Sequence, residues 1–176
     1  YPIGAGKVQT LAAGEENDPD KVAEAISNII TQMKEERVPT EDLVIFLRPT
    51  LFGVLLNSNK LVSSEFSSDN ADYAKRTLYK IAGVRIVETT ALPTAAIPDH
   101  LLSNARNGNF YNVSAAEANA IAVILSPRAL LAGETIPLQS KVFWDDRDKT
   151  YYIDSWLSFA VTVNRPDCCG AVFKTP

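Results

Sequence analysis

Ile81-Ala82-Gly83-Val84-Arg85-Ile86-Val87-Glu88-Thr89-Thr90-Ala91-Leu92-Pro93 lies at the centre of the chain. It is a Gly-led strand, with a Val-x-Ile-Val pattern and a Leu-Pro end. What lies on either side decides how it is read. Immediately upstream, Ala71 to Ile81 predicts a helix with Ala74, Leu78 and Ile81 on one side and Gly83 just beyond its end. Asn57 to Asn70 is rich in Ser and Asn and reads as a long surface loop. Before it, Pro49 starts a helix that faces Leu51, Phe52, Leu55 and Leu56 inward. Leu43-Val44-Ile45-Phe46-Leu47 is a continuous apolar run of strand length, so both of its faces are expected to be covered.

The most secure helix lies further out. Asp18 offers a capping oxygen and Pro19 suits the first helical position, where its missing donor costs nothing. Val22, Ile26, Ile29, Ile30 and Met33 then fall on one helical stripe. Pro39 ends the element by forcing Val38 out of helical dihedrals. Tyr1 to Asn17, with Gly4, Gly6 and Gly14, reads as loop or irregular strand.

Downstream, Pro93 to Asn119 has no sustained period and reads as loops with one short helix near Leu101. Loops that long in a compact domain usually serve binding or contacts. Ala120-Ile121-Ala122-Val123-Ile124-Leu125 is a second buried strand. Ser126, Pro127 and Gly133 cap, start and stop a short helix carrying Leu130 and Leu131. Lys141 to Trp144 and Thr150 to Val163 form a hairpin across Asp145-Asp146-Arg147-Asp148-Lys149. In its second arm Tyr151, Ile153, Leu157, Phe159, Val161 and Val163 share one face, and Tyr152, Asp154, Ser158 and Thr162 take the other, the alternation of a half-buried sheet. Ala171-Val172-Phe173 is expected to pair back onto this arm. No internal repeat is present, which speaks against solenoids and propellers.

The totals narrow the function classes. The chain has 176 residues, 46% of them hydrophobic and 22% charged, as in an ordinary globular protein. A chain of this size buries roughly 70% of its unfolded surface, enough for a core without staples. A net charge of −4 speaks against a surface built to neutralise phosphates. No apolar run approaches the ~20 residues of a membrane span, and no secretory leader is recognisable. Cys168 and Cys169 are adjacent, which makes no disulfide framework, so reduced thiols are expected.

Candidate chemistry is sparse. Gly4-Ala5-Gly6-Lys7 lacks the spacing and the following hydroxyl of a phosphate loop. His100 follows Asp99, but neighbouring side chains point apart and no nucleophile elbow exists, so a loop histidine is expected. One histidine and two adjacent thiols do not complete a zinc site. Asp145, Asp146 and Asp148 bunch carboxylates that calcium would accept, yet the other oxygens and the glycine at fixed offsets are missing, and a solvated hairpin tip is expected. Asn112-Val113-Ser114 matches a glycosylation acceptor that carries no information without a secretory route. No catalytic, cofactor or metal residue is therefore assigned. Arg48 and Arg128 are read either as surface arginines or as reaching a neighbouring subunit, since arginine suits bidentate carboxylate pairing.

In this order of elements, the Ile81–Pro93 strand resembles that of the major capsid proteins of tailed bacteriophages. The resemblance runs from about Asp18 onward. Asn119 to Leu131 and Arg165-Pro166-Asp167-Cys168-Cys169-Gly170-Ala171-Val172-Phe173 look most like the short-tailed phages. It implies an α+β chain with the Johnson, or Hong Kong ninety-seven, capsid fold, comprising an axial domain plus the carboxyl-terminal strands of a peripheral domain. Residues 1–17 would be an irregular lead-in, 18–135 the axial domain, and 136–176 the return into the peripheral β-sheet. The family usually carries an arm, an extended loop and a spine helix first, which this sequence does not show and which imply a longer chain.

The implied function is mechanical. Copies would assemble into pentamers and hexamers of an icosahedral shell in the virion, after synthesis in the host bacterial cytoplasm. DNA would be enclosed without specific binding, scaffolding and portal proteins are possible partners, and no membrane is involved. The 57–70 and 93–119 loops would converge at the ring axis, with Lys60, Glu65, Asp69 and Arg106 as polar contacts beside Arg48 and Arg128. An encapsulin-type compartment around an enzyme cargo shares the fold, and a small hydrolase using His100 is the enzyme alternative.

Overall fold

The computed structural model describes residues 7–58, 71–72 and 77–175. Its body is a mixed six-stranded sheet in the order β1-β10-β7-β2-β6-β5. These strands are β1 (Val8–Leu11), β2 (Val44–Leu47), β5 (Lys80–Ile81), β6 (Val84–Glu88), β7 (Ala120–Leu125) and β10 (Cys169–Lys174). β2 runs antiparallel to β7 and parallel to β6, so it is central. That position accounts for an apolar run with no polar alternation, and Leu43, Ile45 and Leu47 are fully buried.

Helix α1 (Pro19–Glu35) covers the sheet, reaching from β1 and β10 at one edge to β5 at the other. Asp18 caps it by accepting from the Asp20 and Lys21 amides. Its buried stripe is the one read from the sequence, Val22, Ile26, Ile29, Ile30 and Met33, joined by Ala25. The helix stops before Pro39 can act. Arg37 turns left-handed (φ 61°), the Val38 amide donates to the Met33 carbonyl at 2.9 Å and the Arg37 amide to Lys34 at 3.0 Å. This is a Schellman closure with an arginine where glycine is usual. Helix α2 (Pro49–Leu55) follows β2 directly and buries Leu51, Phe52 and Leu55.

Three local expectations are overturned. Where a helix was expected over 71–81, the described residues are β3 (Ala71–Asp72), β4 (Thr77–Leu78) and β5. Lys80 and Ile81 pair with Arg85 and Val84 across a two-residue turn, with Ala82 at φ 49° and Gly83 at φ 85°. Two left-handed residues in succession match the twist of a tight hairpin, so Gly83 turns a strand instead of ending a helix. The helix expected over 126–133 lasts only from Pro127 to Ala129. Leu130 onward belongs to β8 (Leu130–Asp145), which is 16 residues long where four were expected. Finally, β10 does not pair with the hairpin arm; it lies between β1 and β7 in the body sheet.

Gly170 in β10 is where α1 comes closest to the sheet. A methyl group there would overlap Ile29 Cγ2 and lie 3.0 Å from Met33 Cε and 3.3 Å from the Lys7 carbonyl. Lys7 is itself buried, ion-paired with Glu36 and hydrogen-bonded to the Asp167 carbonyl. The lysine of the Gly-rich opening thus pins β1 to the end of α1 and the start of β10.

Candidate interaction surface

β8 and β9 (Thr150–Val163) form a separate two-stranded ribbon that shares no ladder with the body. At ~3.3 Å per residue, β9's 14 residues span about 45 Å. The register starts at Leu130 opposite Val163 and shifts twice, between Glu134 and Ile136 and between Ile136 and Gln139, before closing at Asp145 opposite Thr150. Each shift puts one extra residue into β8. Because side chains alternate with a period of two, one shift would exchange the faces of β8 and the second restores them.

One face therefore runs as Tyr151, Ile153, Leu157, Phe159, Val161 and Val163 of β9, as the sequence implied. Leu130, Ala132, Val142 and Trp144 of β8 lie beside them by register. The other face gathers Phe143, Tyr152 and Trp156 towards the tip. Phe143 and Tyr152 stack at 5.6 Å, and Trp144 meets Tyr151 edge-on at 4.8 Å. The half-burial expected for this sheet is not found. Ile153 is 73% exposed, Leu138 and Tyr151 70% each. An exposed apolar surface of this extent marks an interaction site.

The turn uses its own carboxylates. Asp146 accepts from the Trp144 indole at 2.6 Å, Asp145 from the Arg147 amide at 2.8 Å and Asp148 from the Tyr152 hydroxyl at 2.8 Å. Among the described residues no three His, Cys, Asp or Glu side chains converge as metal ligands.

The structure separates the six residues named as interface candidates. Lys60, Glu65 and Asp69 lie outside the described residues. Arg106 sits exposed in the short helix Ala105–Asn107. Arg128 is half exposed, 3.8 Å from Asp42. Arg48 turns into its own chain. Its guanidinium donates to the Pro93 carbonyl and, at 2.9 Å, to the Ala118 carbonyl, while its Nε is buried with no hydrogen-bond partner among the described residues. Burial lowers its pKa from the usual arginine value. Arg48 thus holds the two ends of the 93–119 excursion to the first turn of α2. Arg48→Ala should lower stability by about 1–3 kcal/mol, because two carbonyls lose a charged donor. Arg48→Lys should recover part of it. Denaturant midpoints of the three proteins measure this, and an unchanged midpoint for alanine would remove the clamp.

His100 is likewise structural. Its Nδ1 accepts from the Leu102 amide and its own amide donates to Asn112 Oδ1, both at 3.2 Å. Cys168 is buried and Cys169 half buried, both free thiols, and burial pushes both thiol pKa values up, the opposite of an activated nucleophile. Asp167 is held below the usual carboxylate range by its hydrogen bond with Arg165. No helix among the described residues is long and apolar enough to cross a membrane.

Sequence reasoning found only Lys141 to Trp144 of the ribbon's first arm and missed its start from Leu130. The signal was the apolar spacing Leu130, Ala132 and Ile136, Leu138, which the helix-start signals at Ser126 and Pro127 overrode.

No protein-family model matches the chain, and no curated protein is similar to it in sequence. Solved structures are. The chain is 28% identical to a subunit in the asymmetric unit of the bacteriophage PhiM1 mature capsid, with a TM-score of 0.87 over 97% of this chain and 52% of that one. It is 19% identical to the capsid of cyanophage P-SCSP1u, with a TM-score of 0.81 over 97% of this chain and 54% of that one. For Mycobacterium phage Che8 the values are 18%, 0.65, 95% and 53%. The chain thus has the α+β phage capsid fold and spans about half the length of the capsid chains it matches.

Proposed function

We propose, from its place among bacteriophage major capsid proteins, that this chain is the shell-building part of a subunit that assembles into pentamers and hexamers. These would tile an icosahedral container around phage DNA. The observation that carries the reading is the contrast within the chain. Among the described residues the body buries a core of its own, while the ribbon exposes apolar side chains on both faces, and a lone two-stranded ribbon is at best marginally stable in water. A subunit that completes its packing through other surfaces couples folding to assembly. The body, 7–129 with 166–175, would serve as the axial domain. The ribbon, 130–163, would be the return into the peripheral sheet, an earlier start than the sequence indicated.

An acidic balance suits a wall against which DNA lies without sticking. The role requires no active site, and the virion is where such a protein resides. The test is to express the full-length protein and image it by negative stain. Closed shells of uniform size are expected. Soluble monomers at all protein concentrations, with or without the phage's other assembly proteins, would reject the reading.

A further inference from the structure

Asn107 is the one asparagine in the chain that is followed by glycine. The pair stands at the end of the short helix Ala105–Asn107, where Gly108 (φ 62°) and Asn109 (φ 57°) both turn left-handed. Asparagine is thermolabile: the backbone nitrogen of the next residue can attack its side-chain carbon. Glycine, with no Cβ, leaves that nitrogen unshielded. Nothing else shields it here, since a methyl group built on Gly108 would meet no atom within 4 Å. The fold, however, turns the Asn107 carboxamide the other way. Its Oδ1 accepts from the Asn104 amide at 2.9 Å and its Nδ2 donates to the Leu102 carbonyl at 2.7 Å, both partners lying upstream. Asn104 Oδ1 in return accepts from the Asn107 amide at 3.0 Å, which closes a reciprocal capping box. The Gly108 amide is tied only by a long 3.4 Å bond to the Ala105 carbonyl. The reactive carbon is thus held back, while the attacking nitrogen is loosely restrained.

We propose that Asn107-Gly108 is a self-modifying site, latched by the capping box and converted to an acid when the loop opens. In the open loop the Gly108 nitrogen attacks Cγ of Asn107. The new C–N bond closes a five-membered succinimide, the Cγ–Nδ2 bond breaks, and ammonia leaves with the proton that Gly108 gives up. Water then opens the ring at either carbonyl and leaves aspartate or isoaspartate. Water is the only co-reactant, and nothing is oxidised or reduced. The product cannot restore the latch. An aspartate at 107 sets a carboxylate oxygen against the Leu102 carbonyl, where Nδ2 had donated, and an acceptor left without its donor is costly. Isoaspartate adds a methylene to the main chain and shifts the groups that met Asn104. Between Ile97 and Val113 the only charged side chains are Asp99 and Arg106, so conversion makes a balanced stretch acidic. The inference stands apart from the shell reading and needs only the folded loop.

The experiment incubates the full-length protein at neutral pH, folded or in guanidinium chloride. Conversion is read from peptide masses and from the separation of isoaspartyl and aspartyl peptides. In guanidinium, Asn107 should convert faster than every other asparagine. In the folded protein it should convert about tenfold more slowly or less, because two side-chain hydrogen bonds must open first. Asn104→Ala removes one side of the latch and should raise the folded rate by about fivefold, the worth of one hydrogen bond. Gly108→Asn keeps a residue that tolerates the left-handed turn but shields the nitrogen, and should suppress conversion in both states. Asn107→Asp, the product itself, should speed hydrogen exchange at the Ser103 and Asn104 amides. Conversion in guanidinium no faster at Asn107 than elsewhere overturns the site. Equal rates folded and denatured, or no acceleration with Asn104→Ala, overturn the latch. Unchanged exchange with Asn107→Asp would mean the loop closes again, and the one-way character would be lost.

Discussion

Gly170→Ala should lower the stability of the chain by about 2–3 kcal/mol, and Gly170→Val by more. Inserting a methyl group into a close-packed core typically costs 1–3 kcal/mol through forced rotamer and backbone shifts. Here relief is hard to find. The overlapping atom is Cγ2 of Ile29, a stiff β-branched side chain buried in the middle of α1. Met33 is flexible enough to give way, but the Lys7 carbonyl behind it is backbone. Moving α1 off β10 would also loosen Lys7 from Glu36 and Asp167, so the strain would spread to β1. A urea midpoint measures the effect. An alanine variant as stable as the parent would mean that α1 does not rest on β10 at this distance.

The second large effect concerns protection from hydrogen exchange. Amides of Leu43 to Leu47 should exchange only through global unfolding, while those of Thr150 to Val163 should exchange at least about a hundredfold faster in the unassembled chain. β2 is flanked by β7 and β6 and capped by buried side chains. β9 has one partner strand and, up to Ala160, exposed side chains on both faces, and a lone two-stranded ribbon is at best marginally stable in water. Assembly should slow exchange in the ribbon by covering it. Equal protection of β2 and β9 before assembly would show that the ribbon supports itself, and its exposed side chains would then need another purpose.

Much of the body was legible because its signals are local. The Asp18-Pro19 start, the five-residue stripe of α1, and the apolar runs at 43–47 and 120–125 each carry their own instruction. What was missed depends on partners distant in sequence. Ala71 to Ile81 has helix-compatible spacing, but the pairing of Lys80 and Ile81 with β6 wins once Ala82 and Gly83 adopt left-handed dihedrals. Ser126 and Pro127 do start a helical turn, and the ladder of Leu130 with Val163 ends it. Phe173 lies only ten residues after the hairpin arm, which favoured local pairing in the reading. The free edge it joins is made by β7, nearly fifty residues earlier in the chain. Arg48 reads in the sequence as a surface charge or as a reach to a neighbouring subunit, because its partners are backbone carbonyls, which leave no trace in composition.

The parallel pairing of β1 with β10 carries one more implication. Val8 lies opposite Ala171, and Lys7 is bound to the Asp167 carbonyl, so the chain enters the body beside the point where the ribbon returns to it. Any polypeptide ahead of Lys7 is thereby leashed at the ribbon's root. Over a short leash, the local concentration of such a segment at its target is of order millimolar. Cover supplied from that side would arrive by a unimolecular step, insensitive to dilution. Cover supplied by a neighbouring subunit would fail below a threshold of protein concentration. In a shell of the proposed kind, the two faces of the ribbon would close in sequence, the first within each subunit and the second only above that threshold of concentration.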